Sequence, residues 1–179
     1  MEKAARHINL PLTKEIAESL HIGDSVTLSG VIYAARDEAH ENMIKLLEEG
    51  KELPIDIKDA TVYYVGPAPA KPGAVIGSAG PTTSGRMDAY TPALLDLGLR
   101  GMIGKGERTD EVIEAMKRNT CVYFGAVGGA GALLAGCIKS QEIIAWPELG
   151  PEALRKFTVE NMPLTVVIDA EGHDLYREH

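Results

Sequence analysis

Leu164-Thr165-Val166-Val167-Ile168-Asp169 is a nearly unbroken apolar run rich in β-branched residues. A strand with one wet face alternates apolar and polar residues. One that does not alternate is buried on both faces, as in a parallel or mixed sheet with helices packed against it. Working back along the chain, short apolar runs alternate with helical patterns. The expected strands are Cys121-Val122-Tyr123-Phe124, Gly101-Met102-Ile103-Gly104, Ala74-Val75-Ile76-Gly77 and 138–144, and the expected helices are 130–135, 109–118 and 90–97. The helix over 109–118 sets Val112, Ile113 and Met116 on one face. Another spans 34–49, with Ala39, Met43, Leu46 and Leu47 at helical spacing and Gly50 closing it. Before it, 25–33 reads as a strand entered through the turn pair Gly23-Asp24, and Thr61-Val62-Tyr63-Tyr64-Val65 as another. His7 to Leu12 suggests a short strand, and Thr13 caps a helix to Leu20, so residues 1–22 form a strand–helix extension. Pro67-Ala68-Pro69-Ala70-Lys71-Pro72-Gly73 is either a linker or a turn, and a turn inside one domain over 1–179 is favoured. The expectation is an α/β fold: an antiparallel β-rich front followed by βα units, with a mixed sheet flanked by helices.

Composition excludes several functions. The chain has 179 residues, 45% of them apolar and 25% charged, as in an ordinary folded domain. Its 18 Lys+Arg against 26 Asp+Glu give a net charge of −8, which disfavours binding to nucleic acid. No run approaches the length of a membrane span, and Met1 to His7 lacks the hydrophobic stretch of a secretion signal, so the expected location is the cytoplasm. Cys121 and Cys137 lack CxxC spacing; they read as small buried hydrophobes and are too few to ligate an iron–sulfur cluster. The five histidines show no metal-ligand spacing, and His173 and His179 fall near a C-terminus expected to be mobile.

Three segments can carry chemistry. Gly77-Ser78-Ala79-Gly80-Pro81-Thr82-Thr83-Ser84-Gly85-Arg86-Met87-Asp88 combines small residues, hydroxyls and an arginine. Small residues let backbone N–H groups approach an anion, and a guanidinium fork suits a carboxylate; a plain polar loop with a surface arginine reads equally from its composition. Ala35-Arg36-Asp37-Glu38-Ala39-His40 lies at a strand-to-helix junction, where Arg36 and His40 share a face if the helix begins by Arg36, and otherwise the charges are solvated. Gly104-Lys105-Gly106-Glu107-Arg108 holds an ammonium between glycines. The cluster Gly125-Ala126-Val127-Gly128-Gly129-Ala130-Gly131 lacks the spacing of a dinucleotide fingerprint and reads as a close-packed strand-to-helix turn.

With Gly80-Pro81-Thr82-Thr83-Ser84-Gly85-Arg86-Met87-Asp88 preceded by Ala35 to His40 and followed by Lys105, the chain resembles the β-subunit of class I fumarate hydratase and the related L(+)-tartrate dehydratase β-subunit. The resemblance runs from about Gly23 to Tyr176 and takes in Val122-Tyr123-Phe124-Gly125-Ala126-Val127-Gly128-Gly129-Ala130 and Val166 to Gly172. It implies a swivelling β/β/α domain, a cytoplasmic hydro-lyase of the tricarboxylic acid cycle, and reversible hydration of fumarate to (S)-malate. It also implies a hetero-oligomer in which a partner α-subunit carries a four-iron four-sulfur cluster whose open iron acts on the leaving hydroxyl; no cofactor is expected on this chain. By the same resemblance Thr82 and Lys105 are catalytic and Arg36, Thr83, Arg86 and Lys105 bind the dicarboxylate. Alone, the chain is expected to be inactive and open to homo-oligomerisation through its uncovered partner face. The alternatives are a tartrate dehydratase β-subunit and a non-catalytic module that binds small carboxylates.

Overall fold

The computed structural model describes residues 4–126 and 131–177. Seven strands are built from the apolar runs: β1 (Arg6–Asn9), β2 (Ser25–Ala34), β3 (Thr61–Tyr63), β4 (Gly101–Gly104), β5 (Val122–Ala126), β6 (Ile138–Ala145) and β7 (Leu154–Ile168). Between them lie helices α1 (Lys14–Glu18), α2 (Asp37–Glu48), α3 (Thr91–Asp96), α4 (Asp110–Asn119) and α5 (Gly131–Gly136), with 3₁₀ turns over Ser84–Met87 and Pro147–Glu152. The strand order is β1-β2-β3-β4-β5-β7-β6, and β7 also pairs with β2. The hydrogen-bonded path β2–β3–β4–β5–β7 therefore returns to β2, which leaves these five strands in a closed ring.

Period-two alternation divides the apolar residues between two cores. Tyr63, Ile103, Phe124, Phe157 and Val166 pack with Leu12 and Leu20 of the N-terminal segment on one face. Val62, Tyr64, Met102, Tyr123 and Val167 face the other way, against Met43 of α2, Leu94 of α3 and Met116 of α4.

Several expectations change. The front is parallel, with Arg6 paired to Val26 and Tyr33 to Val62, because α1 and α2 act as the crossovers that parallel neighbours need. The antiparallel component comes from β7, which pairs with β2, β5 and β6. That strand is 15 residues long, far beyond the Leu164–Asp169 run. Phe157 and Val159 alternate, a bulge against β2 between Val159 and Met162, with Asn161 at φ 51, shifts the register, and Met162, Leu164 and Val166 resume the alternation. Residues 74–77 form no strand. They fold back on the Pro67–Gly73 stretch, which is a turn closed by Ala68 N–H to Ser78 O at 2.9 Å and Gly77 N–H to Ala68 O at 3.2 Å. Cys121 is buried, whereas Cys137 is half-buried. His173 is held in the Asp169–His173 turn, its Nδ1 3.0 Å from Asp169 Oδ2. Much of the expected glycine-rich turn, residues 127–130, lies outside the described residues, as do the start of the 130–135 helix and His179. Among the described residues no helix is long and apolar enough to cross a membrane.

Candidate functional site

The strands β2, β3, β4 and β5 run parallel, so their C-terminal ends meet at one edge, the usual place for a ligand crevice in such sheets. A cleft of about 780 Å³ opens there. Its walls include Arg36 just past β2, Gly66 past β3, Lys105 past β4 and Ala126 at the end of β5, together with Ser78 and Pro81.

The glycine- and hydroxyl-rich segment is laid across these strand ends by main-chain bonds. Thr82 N–H donates to Tyr64 O and Ser84 N–H to Lys105 O, both at 2.8 Å, and Thr83 pairs with Lys105 as a parallel bridge. Thr82, next to Pro81 of the cleft wall, is half-buried and Thr83 and Arg86 are exposed; none of the three lines the cleft. Arg36 and Lys105 thus share the cleft walls. Arg86 does not line the cleft but is brought toward Arg36 through Asp37, whose Oδ2 accepts from its Nε at 3.0 Å. That contact uses one edge of the guanidinium and leaves both Nη atoms without a hydrogen bond among the described residues. Lys105 is exposed and forms no ion pair among the described residues.

Arg36 is the N-cap of α2 rather than its first residue, so it does not share a face with His40. Its side chain lies against Gly66, where a Cβ would stand 2.8 Å from Arg36 Cδ. Its Nε sits 3.8 Å from Asp37 Oδ1 and 4.0 Å from Glu152 Oε1, and both Nε and Asp37 Oδ1 lack a hydrogen-bond partner although buried. Glu152 also caps α2 from outside, accepting from Glu38 N–H at 3.4 Å. Asp37 thus lies between Arg36 and Arg86, and Glu152 borders Arg36.

His40 is fully buried behind Arg36, a position that its place in the sequence does not reveal. Its Nδ1 lies 2.7 Å from the Arg36 carbonyl, so Nδ1 carries the proton and donates. Nε2 has no partner, and the ring packs against Tyr64 and Tyr90. Burial, assisted by the nearby Arg108 and opposed by the Arg36 carbonyl and Asp37, lowers its pKa to about 4. Above pH 6.5 the imidazole is neutral folded or unfolded. As pH falls below 6.5 the unfolded chain takes up a proton that the native state refuses until about pH 4, so stability declines across that window. Wild type is expected to lose about 2–3 kcal/mol more than His40→Gln between pH 7 and 4.5, measured by urea unfolding at both pH values. Equal losses would contradict the buried neutral ring.

Beneath the site lies a buried polar platform. Arg108 Nε donates to Asp88 Oδ1 at 2.7 Å, its Nη2 to Tyr64 Oη at 3.1 Å and to Thr91 Oγ1 at 3.2 Å, while Asp88 Oδ2 accepts from Thr109 N–H at 2.7 Å. The guanidinium also stands 4.9 Å from the Tyr123 ring centre. Arg108 and Asp88 were visible at the ends of the two candidate segments; their pairing across twenty positions has no local signal. Glu152, within a proline-flanked 3₁₀ turn, offers none either.

A second cavity of about 670 Å³ shares Ala68 and Ser78 with the cleft and is mainly apolar, with Val75, Ile76, Ala135 and Ile138 in its walls. Lys71, Lys139 and Ser78 border it, but no arginine does. No group of three or more His, Cys, Asp or Glu side chains able to hold a metal occurs among the described residues. The two thiols do not fit a shared cluster: Cys121 belongs to the helix-side core and Cys137 packs against the other.

A family model described as the fumarase C-terminus matches residues 1–179, which extends the likeness into the N-terminal strand–helix segment. The aerobic class I fumarate hydratase of Escherichia coli K12 is 40% identical over 176 residues, covering 96% of this chain and 32% of that protein. Fumarate hydratase 2 of Leishmania major is 40% identical over 157 residues, 87% of this chain and 28% of that protein. The chain thus spans about a third of the length of these hydratases. A Methanocaldococcus jannaschii protein provisionally named L(+)-tartrate dehydratase subunit beta is 38% identical over 173 residues, 93% of this chain and 89% of its own length.

Proposed function

This chain belongs to the fumarase C-terminus family, and we propose that it is the β-type subunit of a class I fumarate hydratase. In this reading it works with an α-subunit that brings a four-iron four-sulfur cluster, and the assembly hydrates fumarate reversibly to (S)-malate in the cytoplasm. The observation that carries the proposal is the placement of Arg36 and Lys105 in one cleft, bordered by Pro81 of the Thr82 segment, with Arg86 linked to Arg36 through Asp37. A dicarboxylate brings two negative charges, and taking them out of water requires several cations. Arg36 and Lys105 are proposed to hold the two carboxylates, with the free Nη edge of Arg86 available for a bidentate contact. Hydration places a proton on the carbon beside one carboxylate, and the reverse reaction removes it. The negative charge that develops on that carboxylate is stabilised by the fixed cations. Thr82 is proposed to pass the proton. A threonine hydroxyl is a weak base, so the role depends on Lys105 and Arg36 lowering its pKa or on a relay to another group.

Size alone does not separate fumarate from tartrate, which differs by its hydroxyls. The provisionally named tartrate dehydratase subunit, matched over nearly its full length, supports L(+)-tartrate as the second reading. The test is co-purification with the α-subunit from anaerobic lysate, followed by turnover of each acid by the complex. Preference for fumarate is expected; turnover of tartrate alone would reassign the substrate, and a complex inert toward both would refute the proposal. In that complex Arg86→Lys is expected to raise the KM for fumarate about tenfold, since an ammonium cannot make the two-point contact. An unchanged KM would remove Arg86 from the binding set.

A further inference from the structure

We propose that Tyr123 is a positioning residue whose hydroxyl fixes the Lys105 loop against the Thr82–Ser84 segment. The inference rests on the site reading above and adds to it a group that does not line the cleft. Two segments carry the site, and they touch through Ser84 N–H to Lys105 O at 2.8 Å and the Thr83–Lys105 bridge. Below that seam Tyr123, on the neighbouring strand β5, reaches both with one atom. Its hydroxyl donates to Gly106 O at 2.8 Å, which uses its only proton. The Ser84 hydroxyl, 2.7 Å away, must then donate to the phenol oxygen. Both side chains are fully buried, and the bond between the two hydroxyls is shielded from water.

The surrounding structure keeps the phenol in place. A Cβ at Gly104 would collide with Ser84 Oγ and come within 2.7 Å of Tyr64 Cδ2, so the serine occupies space that only glycine leaves. Gly106 has φ +89, a left-handed conformation that turns the chain directly after Lys105 and points the carbonyl at Tyr123. Arg108, tied to Asp88, stacks 4.9 Å from the ring centre and braces the aromatic ring independently of the hydroxyl. Burial pushes the Tyr123 phenol upward, so it remains a donor throughout the neutral range. Every hydroxyl partner of Tyr123 belongs to a segment bearing Thr82, Thr83 or Lys105; removing that oxygen frees the loops without disturbing the ring.

The test is steady-state hydration of fumarate by the α–β complex carrying Tyr123→Phe, Ser84→Ala, both together, Lys105→Ala, or Phe157→Leu as a core variant remote from the seam. Tyr123→Phe and Ser84→Ala are each expected to raise KM about fivefold to tenfold, and the double variant to be no worse than the poorer single, because the two hydroxyls act as one unit. Phe157→Leu, with an equal or larger fall in melting temperature, is expected to leave KM unchanged. A KM within twofold of wild type for Tyr123→Phe overturns the proposal, as does a matching rise in Phe157→Leu. If Lys105→Ala abolishes turnover while Tyr123→Phe is silent, only the positioning role fails. If Lys105→Ala is silent, both that role and the site reading fail.

Discussion

Exchange of Arg108 for leucine is expected to lower the unfolding free energy by about 3–5 kcal/mol, the range for breaking a buried ion pair by removing one partner. Arg108 is 2% exposed and satisfies Asp88, Tyr64 and Thr91 at once, besides standing over two aromatic rings. Leucine would leave the Asp88 carboxylate buried with only the Thr109 N–H as a charge-stabilising donor. Asp88→Leu should cost a similar amount from the opposite side. The double exchange should cost clearly less than the two singles summed, since no uncompensated charge then remains buried. Urea unfolding of the three variants measures this; a loss below about 1 kcal/mol for Arg108→Leu would contradict a structural role for the pair.

Lys105→Ala carries the largest expected effect on catalysis. Its ammonium forms no ion pair among the described residues and stands in the cleft wall at the end of β4, so it is available to a carboxylate. Removing a fixed charge that meets charge developing in the transition state typically costs about 2.7–4 kcal/mol, or about 10²–10³ in rate. A loss of that order in kcat/KM is expected, measured in the complex. The side chain is exposed and the Thr83–Lys105 bridge uses only main-chain atoms, so the melting temperature should hardly move. A loss below threefold would remove Lys105 from the reaction.

The elements were legible wherever one local pattern decided them. Thr109, followed by Val112, Ile113 and Met116, foretells α4, and the structure has Thr109 Oγ1 accepting from Val112 N–H at its start. Strand pairing was not legible in the same way. Nothing in Ser25–Ala34 states that its neighbours are parallel on one edge and antiparallel on the other; that follows from α1 and α2 crossing over and from β7 returning along the whole length of β2. The first half of β7 was hidden because charged residues such as Arg155, Lys156 and Glu160 occupy its less buried positions. In the candidate site, Arg36 and Lys105 stood out as cations beside glycines and strand ends. The groups around them are distant in sequence: Glu152, from a 3₁₀ turn, borders Arg36, and Tyr123, from β5, bonds the carbonyl next to Lys105, while the platform beneath pairs Asp88 with Arg108 twenty positions on. Their roles arise from burial, which composition does not reveal. Asp37, which takes the Nε of Arg86, stands 49 positions before it and is likewise without a local signal.

The most direct measurement adds this chain stepwise to a fixed amount of its iron–sulfur α-subunit under anaerobic conditions and follows the initial rate of fumarate hydration. No turnover is expected from either polypeptide alone, and the rate should rise with added chain to a plateau at equimolar ratio. Full turnover by the α-subunit without this chain would contradict it.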